Sequence, residues 1–177
     1  MEFQMLDNAS GLYNIVYTSG TFDLFHRNHL ALLQRSKELC RTLIVGVNTD
    51  ELVKSYKNAP IIPFEERLAI VGALGMVDLA VPQDTLDHTI TMRKLNADCF
   101  VVGDDWYPKY DYLKEEGFDV FYLPYGAGVS SSSLKQEIAK SFDEMVESGA
   151  ASSNPEPRPP LDNLTGRTAT SLLNKFA

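Results

Sequence analysis

Short apolar runs alternate with amphipathic segments along most of the chain. The runs Tyr13–Tyr17, Thr42–Val47, Leu79–Val81, Cys99–Val102 and Val120–Leu123 are each followed by polar or glycine-containing turns. Between them lie helical patterns at Leu30–Leu39, Asp50–Ser55, Phe64–Leu74, Leu86–Leu95 and Tyr110–Glu116, and a last one at Ser131–Val146. Short continuous apolar strands separated by helices imply a parallel sheet covered on both faces, the α/β class. Right-handed crossovers then bring the loops that follow the strands to one edge of the sheet. Ligands of such sheets sit outside the carboxyl ends of the strands, so the loop after the first strand is the favoured site.

That loop reads Gly20–His29, GTFDLFHRNH. A helix start there offers free backbone N–H groups and a positive dipole end, which together favour an anion. His26 and His29 stand three residues apart, which stacks two imidazoles on one helical face if the helix begins near His26. A histidine beside a helix start is ordinarily a cap or a solvated side chain, but two of the chain's three histidines fall here, next to Asp23.

Length and composition narrow the picture. With 177 residues, 44% of them apolar, the chain can bury one good core, and one domain over residues 1–146 is expected. From Glu147 the composition turns to Ser, Gly, Ala and Pro, so residues 147–177 read as a flexible tail in which Leu161–Ala177 has room for one short helix. A net charge of −8 argues against a nucleic-acid backbone or an anionic membrane as the main partner. No apolar run is long enough to span a bilayer, and the first twelve residues lack the regions of a signal peptide, so a cytoplasmic protein is expected. Cys40, at the end of a helix pattern, and Cys99, in a strand-like run, read as buried free thiols.

Two further segments carry chemistry. Val101–Trp106, VVGDDW, places Asp104 and Asp105 after a buried strand, where adjacent carboxylates serve a cap and a turn or, equally, a metal or a ribose. Gly128–Ser133, GVSSSS, opens the last helix with hydroxyls beside free N–H groups, an arrangement that suits ordinary capping and also phosphate oxygens.

GTFDLFHRNHLALL resembles the GTFDxxHxGHxxLL signature of the cytidylyltransferases within the HxGH nucleotidyltransferase superfamily, and VVGDDW followed by YPKYDYL resembles the VMGDDWxGKFDxL segment of the glycerol-3-phosphate cytidylyltransferases. The resemblance runs from about Ile15 to Ile138, with its motifs in the same order. It implies a Rossmann-like, doubly wound five-stranded parallel sheet of order 3-2-1-4-5 and a homodimer. The reaction it implies is transfer of CMP from CTP to a small phosphomonoester, with Mg²⁺ as cofactor. Carried onto this chain, it makes His26 and His29 donors to the triphosphate, and Lys57 (with Lys54 as the lesser alternative) and Arg67 phosphate clamps. Nucleotide contacts fall to Gly20, Thr21, Phe22, Asp23, Gly103, Asp104, Asp105, Gly128, Ser130, Ser131 and Ser132, with Asp23 free to orient a His or Lys.

The chain departs from the signature at the Gly of HxGH, which is Asn28; and where the resembling family holds RTxGIST ahead of the last helix, its Arg and Thr are Tyr125 and Gly126 here. Asn28 is expected to crowd the nucleotide unless its amide replaces a contact, and Tyr125 removes a charge-assisted bond. Both lead to the expectation of weak CTP affinity or of a different acceptor. An adenylyltransferase of the same superfamily and a catalytically weakened nucleotide-binding protein are the alternatives. An NAD-type Rossmann domain is disfavoured because no GxGxxG follows the first strand.

Overall fold

In the computed structural model, which describes residues 11–126 and 128–148, five parallel strands form one sheet in the order β3-β2-β1-β4-β5. The strands are β1 (Tyr13–Gly20), β2 (Cys40–Asn48), β3 (Leu79–Gln83), β4 (Cys99–Gly103) and β5 (Asp119–Leu123). The helices are α1 (Arg27–Glu38), α2 (Asp50–Lys54), α3 (Phe64–Gly72), α4 (Thr89–Leu95), α5 (Tyr112–Glu115) and α6 (Ser131–Glu147), and a single 3₁₀ turn covers Asp104–Trp106. Strand order and class are those expected. The suggested helix within Leu161–Ala177 lies outside the described residues.

The sheet is buried on both faces, and the period of two assigns each strand residue to one of them. Val16, Leu43, Val45, Val47, Cys99 and Val101 pack with Leu33 of α1 and Val71 of α3. Tyr17, Ile44, Phe100 and Val102 pack on the other side with Met92 of α4 and Leu113 of α5. Both thiols are free and buried. Cys40 opens β2 instead of closing a helix, because α1 ends at Leu39 and the chain turns directly into the strand.

Two boundaries differ from the apolar pattern for reasons tied to the site. β1 runs past Tyr17 through Thr18 and Ser19 to Gly20, carrying polar residues on a fully strand-paired backbone to the edge where it meets the loop. α1 begins at Arg27, ahead of the first apolar position, because His26 caps it: its Nδ1 accepts the Asn28 N–H at 3.3 Å. β3 extends to Gln83 and includes Pro82, tolerated because β3 is an edge strand.

The loop between β1 and α1 is strained. Phe22 and Leu24 both have left-handed backbones, φ 54° and 47°, which costs on the order of 1 kcal/mol or more each for residues with a side chain. Asp23, between them, holds the loop in place. Its carboxylate accepts N–H groups from Ile61 and Ile62 at 3.0 Å each and pairs with Lys135 of α6 at 2.8 Å.

A second support comes from α3. The Arg67 side chain is fully buried, with Nε donating to the Ile62 carbonyl at 2.9 Å, one terminal nitrogen donating to the Thr21 carbonyl, and the other paired with Asp50 at 2.6 Å. The phosphate clamp expected of Arg67 is therefore replaced by a strut that ties the β1–α1 loop to α2 and α3. A guanidinium has no room for a phosphate when its donors already serve two carbonyls and a carboxylate behind the loop. Arg67→Met should lower stability by roughly 3 kcal/mol, since it strands Asp50 and two carbonyls, and urea unfolding measures it. An unchanged midpoint would show that the strut carries no load.

Candidate active site

β1 is the point where the strand order reverses, with β2 on one side and β4 on the other. At the carboxyl ends of these strands lies a cavity of about 230 Å³, formed by loop residues from every part of the domain. Gly20, Thr21, Phe22, His29, Lys57, Gly103, Asp105, Ser130, Ser131 and Ser132 all line it. Of the site residues expected from the sequence, these line the cavity, whereas His26, Asp23, Arg67, Asp104 and Gly128 are not among its lining residues.

The two imidazoles of α1 are stacked, ring centres 3.8 Å apart and planes 21° from parallel. His29 lines the cavity and His26 lies against it, while Phe22 and Phe25 flank His29 at 5.3 and 5.5 Å. Because His26 Nδ1 accepts the capping bond, its proton is on Nε2, so His26 presents a neutral donor. Among the described residues, the buried Nε2 of His26 and Nδ1 of His29 have no hydrogen-bond partner. Such groups are costly unless a ligand satisfies them, which marks this pair as a recognition point for oxygen atoms. Burial, then the neighbouring His26 and Lys57, push the His29 imidazole down to about 3, and burial also holds His26 below its ordinary value.

Asp23 does not reach a histidine. Burial works to raise its carboxyl, but Lys135 and the Ile61 and Ile62 N–H groups outweigh this and hold it below the usual carboxylate value. It orients a lysine, as one of the expected alternatives had it, though a lysine from α6. Asp104 faces away from the cavity work: its carboxylate accepts the Tyr125 N–H at 2.9 Å and fixes the loop after β5. Asp105 is the carboxylate at the cavity, raised above its usual range first by burial and then by Asp104 beside it. Gly103 admits it, since a Cβ there would lie 2.4 Å from the Asp105 carboxylate.

The wall at α6 is built by capping. Ser130 and Ser133 form a reciprocal capping box, and Ser131 Oγ donates to the Asp23 carbonyl at 2.6 Å. Gly128, at φ 98°, makes the turn into it. Asn28 does not crowd the cavity as its place in the motif suggests. It is buried and turned toward the loop after β5, where its Nδ2 donates to the carbonyls of Gly126 and Val129. Tyr125 lines the cavity as a half-buried ring where a cation was expected.

A second group of residues was not anticipated. His88, in the turn before α4, is buried with Nε2 3.1 Å from Ser19 Oγ, stacked on Tyr110 at 5.3 Å, and has its Nδ1 unpartnered. Burial pushes its imidazole down to about 4. With Tyr56, Trp106 and Lys109 it forms an aromatic and cationic end of the same cavity, Lys109 Nζ standing 4.5 Å from the Trp106 ring centre. Trp106 ends the VVGDDW segment, from which only Gly103, Asp104 and Asp105 were expected at the site. Nothing in the sequence around His88 marked it.

Among the described residues, no group of three or more His, Cys, Asp or Glu could hold a metal ion. Asp105 is the single carboxylate at the cavity wall. One carboxylate suits Mg²⁺ where substrate phosphates complete the shell, the usual way this ion is bound at triphosphate sites. No helix among the described residues is long and apolar enough to cross a membrane.

The sequence and the fold of this chain are similar to those of proteins of known family. The cytidylyltransferase-like family model matches residues 17–152. The chain is 39% identical over 132 residues to a glycerol-3-phosphate cytidylyltransferase of Bacillus subtilis (strain 168), covering 70% of this chain and 96% of that enzyme. To the glycerol-3-phosphate cytidylyltransferase of Staphylococcus aureus (strain NCTC 8325 / PS 47) it is 34% identical over 124 residues, covering 70% and 93%. The crystal structure of the lipopolysaccharide core biosynthesis protein from Thermoplasma volcanium GSS1 superposes with a TM-score of 0.57 at 25% identity, covering 66% of this chain and 99% of that one. Fold and sequence agree, and the chain belongs to the cytidylyltransferase-like family.

Proposed function

We propose that this chain is a cytidylyltransferase that moves CMP from CTP to a small phosphomonoester of the glycerol 3-phosphate type, releasing pyrophosphate. The observation that carries this reading is the stacked, neutral histidine pair, with buried nitrogens unpartnered among the described residues, whose His29 lines one cavity with the α6 serines. It is supported by the glycerol-3-phosphate cytidylyltransferases that resemble the chain over nearly their whole length.

An oxygen of the acceptor phosphate attacks the α-phosphorus of CTP. The bond from that phosphorus to the bridging oxygen breaks, and pyrophosphate leaves with the electron pair. The attacking phosphate is already ionised, so no side-chain nucleophile or base is needed, and the protein's contribution is positioning and charge neutralisation. Neutral His26 and His29 donate to triphosphate oxygens as charge builds on them. Lys57 at the rim supplies a mobile positive charge, and the α6 N-terminus with Ser130, Ser131 and Ser132 supplies N–H groups and hydroxyls for the phosphates. Mg²⁺, held by the triphosphate with Asp105 as the protein ligand, would offset further negative charge. The acceptor end is assigned to the His88, Tyr56, Trp106 and Lys109 side of the cavity. We place the enzyme in the cytoplasm, where CTP is found, and as a homodimer.

Calorimetric titration with CTP and with ATP, followed by a pyrophosphate-release assay over a panel of phosphomonoesters, tests the reading. Tighter binding of ATP, or no pyrophosphate with any acceptor, would overturn it.

His29→Ala and His26→Ala should each lower kcat by about a hundredfold, with a smaller change in CTP affinity. His26→Asn keeps a good helix cap and should lose the same activity, which separates catalysis from capping. Equal losses in affinity with kcat intact would make the histidines ground-state contacts only.

The buried imidazoles also set a pH response. The folded protein keeps His29 and His88 unprotonated down to about 3 and about 4, whereas an unfolded imidazole takes up a proton near its ordinary value of 6.5. The unfolded chain therefore binds more protons in that window, so stability is complete above 6.5 and is lost as pH falls toward 4 and 3. Urea midpoints measured from neutral pH downward should fall, and His29→Gln should flatten part of the slope. A midpoint that holds or rises on acidification would contradict buried neutral rings.

A further inference from the structure

Asn28 sits between the two catalytic histidines in sequence but faces another way, and both ends of its amide are committed. Its Nδ2 donates to the Gly126 carbonyl at 2.5 Å and to the Val129 carbonyl at 2.8 Å. Both acceptors belong to the segment that leads into Ser130, the N-cap of α6. The oxygen end meets the same segment. A Cβ at position 126 would stand 2.6 Å from Asn28 Oδ1 and 3.2 Å from its Cγ, closer than side-chain packing permits. Gly126 is not among the residues with positive φ, so it is not glycine for its backbone's sake. What a side chain there would meet is the amide of Asn28.

We propose that Asn28 and Gly126 act as one positioning unit, which seats the Ser130–Ser132 segment against the histidine helix before any nucleotide arrives. Calling that segment a phosphate site rests on the function proposed above. The seating itself rests on the two hydrogen bonds and the steric exclusion. Its effect is on binding: a loop already ordered in the free protein loses little conformational freedom when the triphosphate docks, so affinity is gained without any contact between Asn28 and ligand. The Ser131 bond to the Asp23 carbonyl joins the same two walls at a second place, so the unit controls the register of that joint rather than the existence of the wall.

The proposal makes the two positions interdependent. Five proteins decide it: the parent, Asn28→Gly, Gly126→Ala, the double variant, and Asn28→Asp, which keeps the shape and loses both donors. Hydrogen exchange of the backbone amides over residues 128–134 is measured without nucleotide, and KM and kcat for CTP are measured alongside melting temperature. Asn28→Gly and Asn28→Asp should speed exchange of that segment by about tenfold and raise KM by about tenfold, with kcat at saturation changed by about threefold at most. Gly126→Ala should do the same in the parent and add about twofold at most in the Asn28→Gly background, where no amide remains to collide with.

Multiplicative effects in the double variant would overturn the unit, as would unchanged exchange in both Asn28 variants. A fall in melting temperature with KM intact would make the pair structural only and would overturn it too. If the parent neither binds CTP nor releases pyrophosphate, it is the proposed function that fails, and exchange in the five proteins still decides the unit.

Discussion

One buried carboxylate holds this site together. Asp23 lies between two residues whose backbones are left-handed, and its oxygens collect N–H groups from the segment before α3 and the ammonium of Lys135 from α6. Its own carbonyl accepts the Ser131 hydroxyl. Two segments that are remote along the chain, the one before α3 and the start of α6, therefore converge on a single residue, and the strain of the loop is offset by charge-assisted bonds from two sides. Arg67 supports the same loop from below through the Thr21 carbonyl. A carboxylate that anchors a lysine and two amides cannot also serve as a catalytic base, so the acid–base inventory of the cavity is left to neutral imidazoles and to Asp105.

That division of labour explains which groups are charged. The cations with buried or half-buried heads are used for architecture: Arg67 with Asp50, Lys135 with Asp23. The mobile cations, Lys57 and Lys109, stand at aromatic rings on the cavity margin. Inside, the rings of His26, His29 and His88 are kept uncharged by burial. A cavity arranged this way meets a highly anionic ligand with donors and peripheral positive charge, not with a dense cluster of buried cations, which would be expensive to leave unpaired in the free protein.

Much of the fold was legible because buried parallel strands write themselves as continuous apolar runs, and the strand positions from Tyr13, Thr42, Leu79, Cys99 and Val120 follow directly. What the pattern could not show were the ends turned toward the site. Thr18 and Ser19 continue β1 as polar residues, and Arg27 and Asn28 form a polar first turn of α1, so apolar periodicity stops short of both. The histidine pair and the serine-rich helix start were visible because their spacing is local. Arg67 was misread because a buried arginine on an amphipathic helix looks like a surface one until its distant partners, Thr21 and Asp50, are known. His88 was missed for the converse reason: its neighbours Ser19, Tyr110 and Tyr112 come from two other segments, far from it along the chain. Asn28 and Gly126 were each noticed as departures, but only the fold brings them into contact.

Pro82 has a consequence beyond its tolerance at the edge. It lies in β3, paired with Val47 on the inner side, and contributes no amide hydrogen to the sheet's outer margin. An incoming strand seeking to extend the sheet there would meet a break in the row of donors beside the cavity rim. That edge of the sheet is thereby guarded against strand addition at this point.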